Sequence, residues 1–229
     1  MARYPAPFLG AGVSFQKKWV KLVRWKSTEN IKQHMVLLVA VVIGLVSGCL
    51  RAGVSKTPYD LPDIRGLWMV FAAYLPQFFA FYLPATRNAI ADQWIPIILV
   101  SSQMLLLIFA WSNRKVTGFP LLGMGLLLNF IAIVLNGGLM PITPEVLQKI
   151  IPPGNDTIIA IGERVPSGKD ILLPRESTRL WFLGDILTLP RSLKYQIAFS
   201  IGDIVISMGA FWLFWQRSSP HKVSEEVSS

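Results

Sequence analysis

Five long apolar stretches constrain this chain more than any other feature. They cover residues 35–50, 67–82, 94–111, 119–135 and 197–215. An α-helix rises about 1.5 Å per residue, so roughly 20 apolar residues cross a hydrocarbon layer about 30 Å thick. The runs are apolar on every side rather than on one helical or strand face, a pattern that suits helices surrounded by lipid and not a soluble core. The expected fold class is therefore all-α: an integral membrane bundle of about five transmembrane helices, with one long loop between spans 4 and 5.

Apolar residues make up 52% of the chain and charged residues 15%, and the charges fall almost entirely between the apolar runs. The formal net charge of +9 would also suit a nucleic-acid binder, but seven of the 22 basic residues precede the first run. That placement suits anionic lipid head groups, and no zinc-finger, RNA-recognition or helix-turn-helix signature is present. Cys49 is the single cysteine, which rules out an intramolecular disulfide. His34 and His221 lie far apart with no ligand spacing around them, so neither a metal nor another cofactor is expected.

Residues 1–34 form a basic extension. Read as a helix, residues 15–26 put Phe15, Trp19, Leu22 and Val23 on one face and Lys17, Lys21 and Arg24 on the other, as in a helix lying along anionic head groups. A secretory signal is the competing reading. Against it stand the length of the basic region and the absence of a small-x-small cleavage site near Ser47–Arg51, so a retained first span is expected. Residues 35–135 then hold four spans. The first carries Gly44-x-x-x-Gly48, a smooth strip for a neighbouring helix. The second carries Pro76, which predicts a kink. The third holds Ser101, Ser102 and Gln103 and the fourth Gly123, Gly125 and Asn129, polar or small positions expected to face other helices.

Residues 136–196 are rich in proline and glycine, with seven basic and six acidic side chains. Within them, 157–161 and 170–173 have the makings of a hairpin around Val165-Pro-Ser-Gly168, and the apolar piece 181–189 is too short to span. It reads as an interfacial or re-entrant element. The fifth span covers 197–216, and 217–229 is a polar tail. Basic residues in the short segments, Arg51, Lys56, Arg65, Arg114, Lys115, Arg217 and Lys222, fall on one side of such a bundle. By the positive-inside rule that side is cytoplasmic, which puts the start of the first span outside and the C-terminus inside. The basic extension opposes this orientation. The expected location is the plasma membrane of a bacterial cell, with a second copy or another membrane protein as possible partner and no nucleic acid.

Asp203 is the one ionisable residue within a run, and such a carboxylate should face the bundle or a wet cavity. Its surroundings, Ile201-Gly-Asp-Ile204, echo Leu183-Gly-Asp-Ile186, and the fourth run ends Asn136-Gly137-Gly138-Leu139-Met140-Pro141. Because the fourth span leaves on the side where the fifth enters, Asn136, Gly137, Gly138, Asp185 and Asp203 form a candidate polar site. Two carboxylates and an asparagine suit a cation or a shared proton. The structural alternative is that Asn-Gly-Gly ends a helix, each Gly-Asp caps the next one, and Asp203 pairs with Arg191 or Lys194. No catalytic motif is found. Gly162–Asp170 has the wrong glycine spacing for a phosphate loop, and aspartate stands where serine or threonine belongs. The lack of a nucleophile, metal site or cofactor motif weighs against an enzyme.

The motifs Gly48-x-x-Arg51-x-Gly53, Arg65-Gly66-x-Trp68, Asn136-Gly-Gly-x-Met140-Pro141, Leu183-Gly-Asp185 and Ser200-Ile-Gly-Asp203, in this order, give the chain from Met35 to about Trp215 a family likeness. It resembles small bacterial multi-pass membrane proteins known only as a domain of unknown function. The resemblance implies the helical architecture and directs attention to these residues; it implies no activity. The expected role is a structural or partner-binding membrane component, with a small ion- or solute-handling transporter using Asn136, Asp185 and Asp203 as the alternative.

Overall fold

A computed structural model describes residues 42–44, 46, 47, 50, 63–87, 89–150, 159–166, 168–189 and 197–215. The basic extension, the polar tail, and Arg191 and Lys194 lie outside them. The chain is mostly helical. Helix α1 (Trp68–Gln77) continues as a wider π turn over Phe78–Tyr82. Pro76 sits two residues before the widening; a proline ring inside a helix crowds the carbonyl four residues back. A single helical turn, Pro84–Arg87, and a 3-10 turn, Asp92–Trp94, lead into α2 (Ile95–Ser112). Gly118 (φ 89°) starts α3 (Phe119–Leu135). After the lobe described below, α5 (Ile201–Trp215) closes the described chain.

Of the described helices, the continuous stretch Asp92–Ser112, 21 residues long, has the length and composition to cross a membrane. Phe119–Leu135 and Ile201–Trp215 are shorter apolar helices. The fifth apolar run loses its first residues because Ala198–Phe199 is drawn into a strand and Ser200 caps the helix. The second is interrupted by its proline and π turn.

The closest helix contact is the antiparallel packing of α3 on α5, and glycine makes it possible. A Cβ at Gly209 would lie 2.4 Å from the Leu122 nitrogen, and one at Gly125 would lie 2.6 Å from the Gly202 carbonyl oxygen. Main chain therefore rests directly on main chain, as small residues allow. Gly44, in the first run, approaches α5 as well, where an added Cβ would touch the Phe211 backbone at 3.1 Å.

Two apolar clusters define the two ends of the bundle. Phe109, Phe119 and Leu213, with Ile64, Met69 and Val70 against them, mark the end where α1 and α3 begin and α2 and α5 finish. Phe81, Ile95, Leu99, Ala132 and Ile133 mark the opposite end. Beyond that second end, the described residues between 136 and 200 form a small lobe with its own core of Ile142, Val146, Leu147, Ile150, Val165 and Leu172. Strand β1 (Met140–Ile142) pairs in parallel with β2 (Asp170–Leu172), and α4 (Pro144–Ile150) covers them. β3 (Leu187–Thr188) and β4 (Ala198–Phe199) form a second, antiparallel pair. β2 also turns back on residues 162–165 through the expected tight turn, so the hairpin arm lies a few residues later than 157–161. Arg164 reaches Asp92 at 2.6 Å and ties this hairpin to the start of α2.

Gly209→Ala should push α5 away from α3 and cost about 1–3 kcal/mol, as overpacking does. Gly123→Ala, whose added carbon would meet only Ala110 Cβ at an ordinary 3.4 Å, should be neutral. Thermal unfolding of the two variants in detergent checks the difference.

Candidate functional site

Each sequence-selected polar residue sits at the lobe end of the bundle, but they belong to three separate networks. The first closes the α3–α5 contact. The Ser200 Oγ accepts from the Asp203 backbone N–H at 3.0 Å, and Asp203 Oδ2 accepts from the Ser200 N–H at 2.9 Å. This is a reciprocal capping box, satisfying two donors that a helix start leaves over. Asn129, on α3, joins it from across the interface. Its Nδ2 donates to Asp203 Oδ1 at 2.8 Å, and its Oδ1 accepts from the Ser200 hydroxyl at 2.8 Å. Ser200 is fully buried and Asn129 nearly so. Gly202 must be glycine for this, because a Cβ there would overlap Asn129 Oδ1.

The second network is a main-chain clamp. Asn136 ends α3, and its Nδ2 donates to the Ala132 carbonyl at 2.8 Å and to the Arg179 carbonyl at 2.9 Å. Its Oδ1 accepts from the Arg179 N–H at 3.0 Å. One amide thus pairs both polar groups of a distant residue and one left over by its own helix. Gly137 and Gly138 follow with φ of 81° and 83°, the left-handed turn that ends a helix. Gly138 N–H closes the motif on the Ile133 carbonyl at 2.8 Å, and its missing Cβ lets the turn lie on Pro96. Asn113, at the end of α2, repeats the clamp at the other end of the bundle. It pairs the N–H and carbonyl of Arg65 at 2.8 and 2.9 Å and bonds the Phe109 carbonyl. Nothing in the pattern of apolar runs pointed to Asn113, although its place just after a run is a helix-end signal.

The third network is an ion pair. Gly184 lies against β1, where a Cβ would come 2.6 Å from the Pro141 oxygen, and Asp185 N–H donates to that oxygen at 3.0 Å. The fixed backbone delivers the fully buried Asp185 carboxylate to Lys169, 3.0 Å from Nζ to Oδ2. Asp170 stands 3.9 Å from the same ammonium. Burial works against the Lys169 charge, but Asp185, then Asp170 and Asp203, outweigh it and raise its pKa above the ordinary lysine value. Burial also raises the Asp185 carboxyl well above the usual range, against the opposing pull of Lys169. Asp185 Oδ1 is buried with no hydrogen-bond partner. Lys169, read in the sequence only as part of a rejected phosphate loop, is thus the partner of Asp185.

The arrangement brings Asp185 and Asp203 into one electrostatic neighbourhood around Lys169, while Asn136 serves the Arg179 main chain. Among the described residues no group of three or more His, Cys, Asp or Glu is placed to hold a metal ion.

A mostly helical chain with a membrane-length apolar helix, a glycine-packed helix pair and a capped polar end is what these features define. The chain belongs to the family of unknown function DUF5317, whose model matches residues 62–215. The match begins after the first apolar run, so the Gly48–Gly53 motif lies outside it. No curated protein and no solved structure matches the chain.

Lys169→Met strands a buried carboxylate and should cost about 3 kcal/mol, at the low end for a broken buried pair because the Lys169 side chain keeps 22% of its surface exposed. Adding Asp185→Asn should return more than half of that loss, and a double-mutant cycle by thermal unfolding measures it. Asn136→Asp keeps the shape but loses both donated bonds and should destabilise by about 2 kcal/mol or more. The same unfolding assay reads it.

Proposed function

We propose that this protein is a multi-pass integral membrane protein of a bacterial plasma membrane whose five apolar runs all cross the bilayer, and that it acts as a structural or partner-binding component. The observation that carries the role is where the polar side chains go. Asn136, Asp185 and Asp203 are each bonded within the chain, largely to main-chain groups that helix ends and strands leave over. The glycines beside them serve close approach or left-handed turns. These residues build an architecture.

The membrane reading is supported by aromatic side chains exposed at two levels. Trp68, Trp111 and Trp212 stand at one end of the bundle, 64%, 69% and 53% exposed, and Trp94, Phe78 and Phe79 stand at the other. Aromatic belts at both interfaces are the usual companion of a spanning bundle. Between them, exposed Ile97, Met104, Ile108, Met124 and Leu127 offer lipid an apolar wall. Helices of 15–17 residues reach about 22–26 Å, so they match a thin hydrocarbon layer or rely on interfacial aromatics at their ends. By the positive-inside rule, Arg65, Arg114 and Lys115 at the far end support an orientation with that end in the cytoplasm and the lobe outside.

One observation favours the second reading, an ion- or solute-handling protein. The orphaned Asp185 Oδ1 lies beside Lys169, with Asp170 3.9 Å from the same ammonium and the charge of Asp203 also felt there, a place able to take up a proton.

Reconstituted vesicles separate the two. For a structural component the protein remains with lipid through an alkaline carbonate wash, and its vesicles leak protons and sodium no faster than empty ones. Release by carbonate contradicts the membrane reading. Flux that Asp185→Asn abolishes contradicts the structural role and favours the second reading.

A further inference from the structure

Among the described residues, the turn 175–182 is an exposed apolar and basic surface that the networks above leave unexplained. Leu180 has φ 49° and ψ 51°, the left-handed region, and among the described residues it is the one non-glycine with positive φ. A branched residue enters that region only when its surroundings hold it there. The holding groups are on both sides. Asn136 fixes the Arg179 main chain, and Leu183 is buried in the cluster with Ile95, Ala132 and Ile133. The result is a turn whose base is locked to the bundle end and whose Leu180 and Phe182 point outward, 39% and 44% exposed.

Basic groups flank these apolar tips. The Arg175 guanidinium lies 3.4 Å over the Trp181 ring, and Arg179 is exposed. Among the described residues neither guanidinium has an ion-pair partner, and Glu176 is the one acid in the turn. The level of the turn in the bundle identifies what covers it. It is attached where α3 ends, where α2 begins and beside Phe81 at the end of the π turn. If the apolar helices span a bilayer, that level is the head-group boundary.

We propose that the 175–182 turn is a lipid anchor that binds the phosphodiester head groups of anionic phospholipids through Arg175 and Arg179 and sinks Leu180 and Phe182 into the adjoining acyl boundary. Guanidinium forks match phosphate oxygens in pairs, and aromatic and branched side chains favour this depth. Arg175 stacked on Trp181 holds its fork at the level of the ring. Strain at Leu180 is the cost of aiming an apolar side chain away from the protein, and lipid supplies the burial that the lobe does not. The inference rests on the multi-pass reading and adds a site and a ligand class to it.

The test uses the full chain with Cys49→Ser and one of two reporter substitutions, Phe182→Cys or Met104→Cys, each labelled with a polarity-sensitive fluorophore. The probes are vesicles of phosphatidylcholine alone or mixed with phosphatidylglycerol, carrying spin-labelled lipids quenching at the interface or mid-chain. The expected result is interfacial quenching at position 182 that strengthens with phosphatidylglycerol, and mid-chain quenching at position 104, near the middle of α2. Arg175→Gln with Arg179→Gln should remove the phosphatidylglycerol dependence and leave position 104 unchanged. Water-like emission and iodide quenching at 182, with 104 still quenched by lipid, overturns the anchor alone and points instead to a surface for a protein partner. Loss of lipid quenching at 104 overturns the membrane reading and the anchor with it. Equal quenching at 182 in both lipids overturns the head-group specificity.

Discussion

The direct contact of two helix backbones, α3 against α5, is the constraint on which the rest of the structure depends. Four glycines, Gly118, Gly125, Gly202 and Gly209, remove the side chains that would hold the axes apart. Each pair is seven residues apart, two turns of helix, so both pairs lie on one stripe. Such closeness gains dispersion contacts and does not need a hydrophobic driving force, which lipid would not supply. It also brings Asn129 against the first turn of α5. The Ser200–Asp203 capping box and Asn129 then form one hydrogen-bonded unit that fixes the register of the two helices.

A second constraint explains the asparagines. A helix ends with carbonyls that have lost their partners, and in apolar surroundings water does not replace them. An asparagine side chain has the same donor and acceptor as a peptide group. Asn113 and Asn136 therefore act as extra peptide units, each binding a chain segment that arrives from elsewhere, Arg65 in one case and Arg179 in the other. Those two segments enter the bundle at opposite ends. The same chemistry thus holds the chain before α1 and the turn carrying Leu180.

Much of this was legible in the residues. The runs 67–82, 94–111 and 119–135 became helices because long, nearly unbroken apolar runs leave little else to form, and Phe119–Leu135 was delimited by Gly118 and Asn136 themselves. The proline at 76 disturbed its helix as its ring requires. Asn136, Asp185 and Asp203 were singled out because polar groups beside apolar runs need partners, and all three are found buried or bonded. Their partners were not legible. Lys169 reaches Asp185 only because β1 and β2 align in parallel, a pairing between segments some 30 residues apart that local pattern does not encode. Asn129 meets Asp203 only through the glycine contact. Strand β2 falls where the hairpin arm 170–173 was expected, but β1, β3 and β4 were missed for the same reason: strands of two or three residues carry no periodicity of their own.

Taken together, the motifs singled out in the sequence read as architecture. Arg65-Gly66 is clamped by Asn113, Asn136-Gly-Gly ends α3 and grips Arg179, Leu183-Gly-Asp185 docks on β1, and Ser200-Ile-Gly-Asp203 starts α5. The central claim is that this architecture is set across a bilayer with the lobe on one side and the Asn113–Gly118 turn on the other. Labelling intact cells with a membrane-impermeant maleimide tests it, using Glu176→Cys in the lobe and Thr117→Cys in the turn, each with Cys49→Ser. The account predicts that Glu176→Cys is labelled in intact cells and Thr117→Cys only after the membrane is opened. Labelling of both positions on the same side would contradict it.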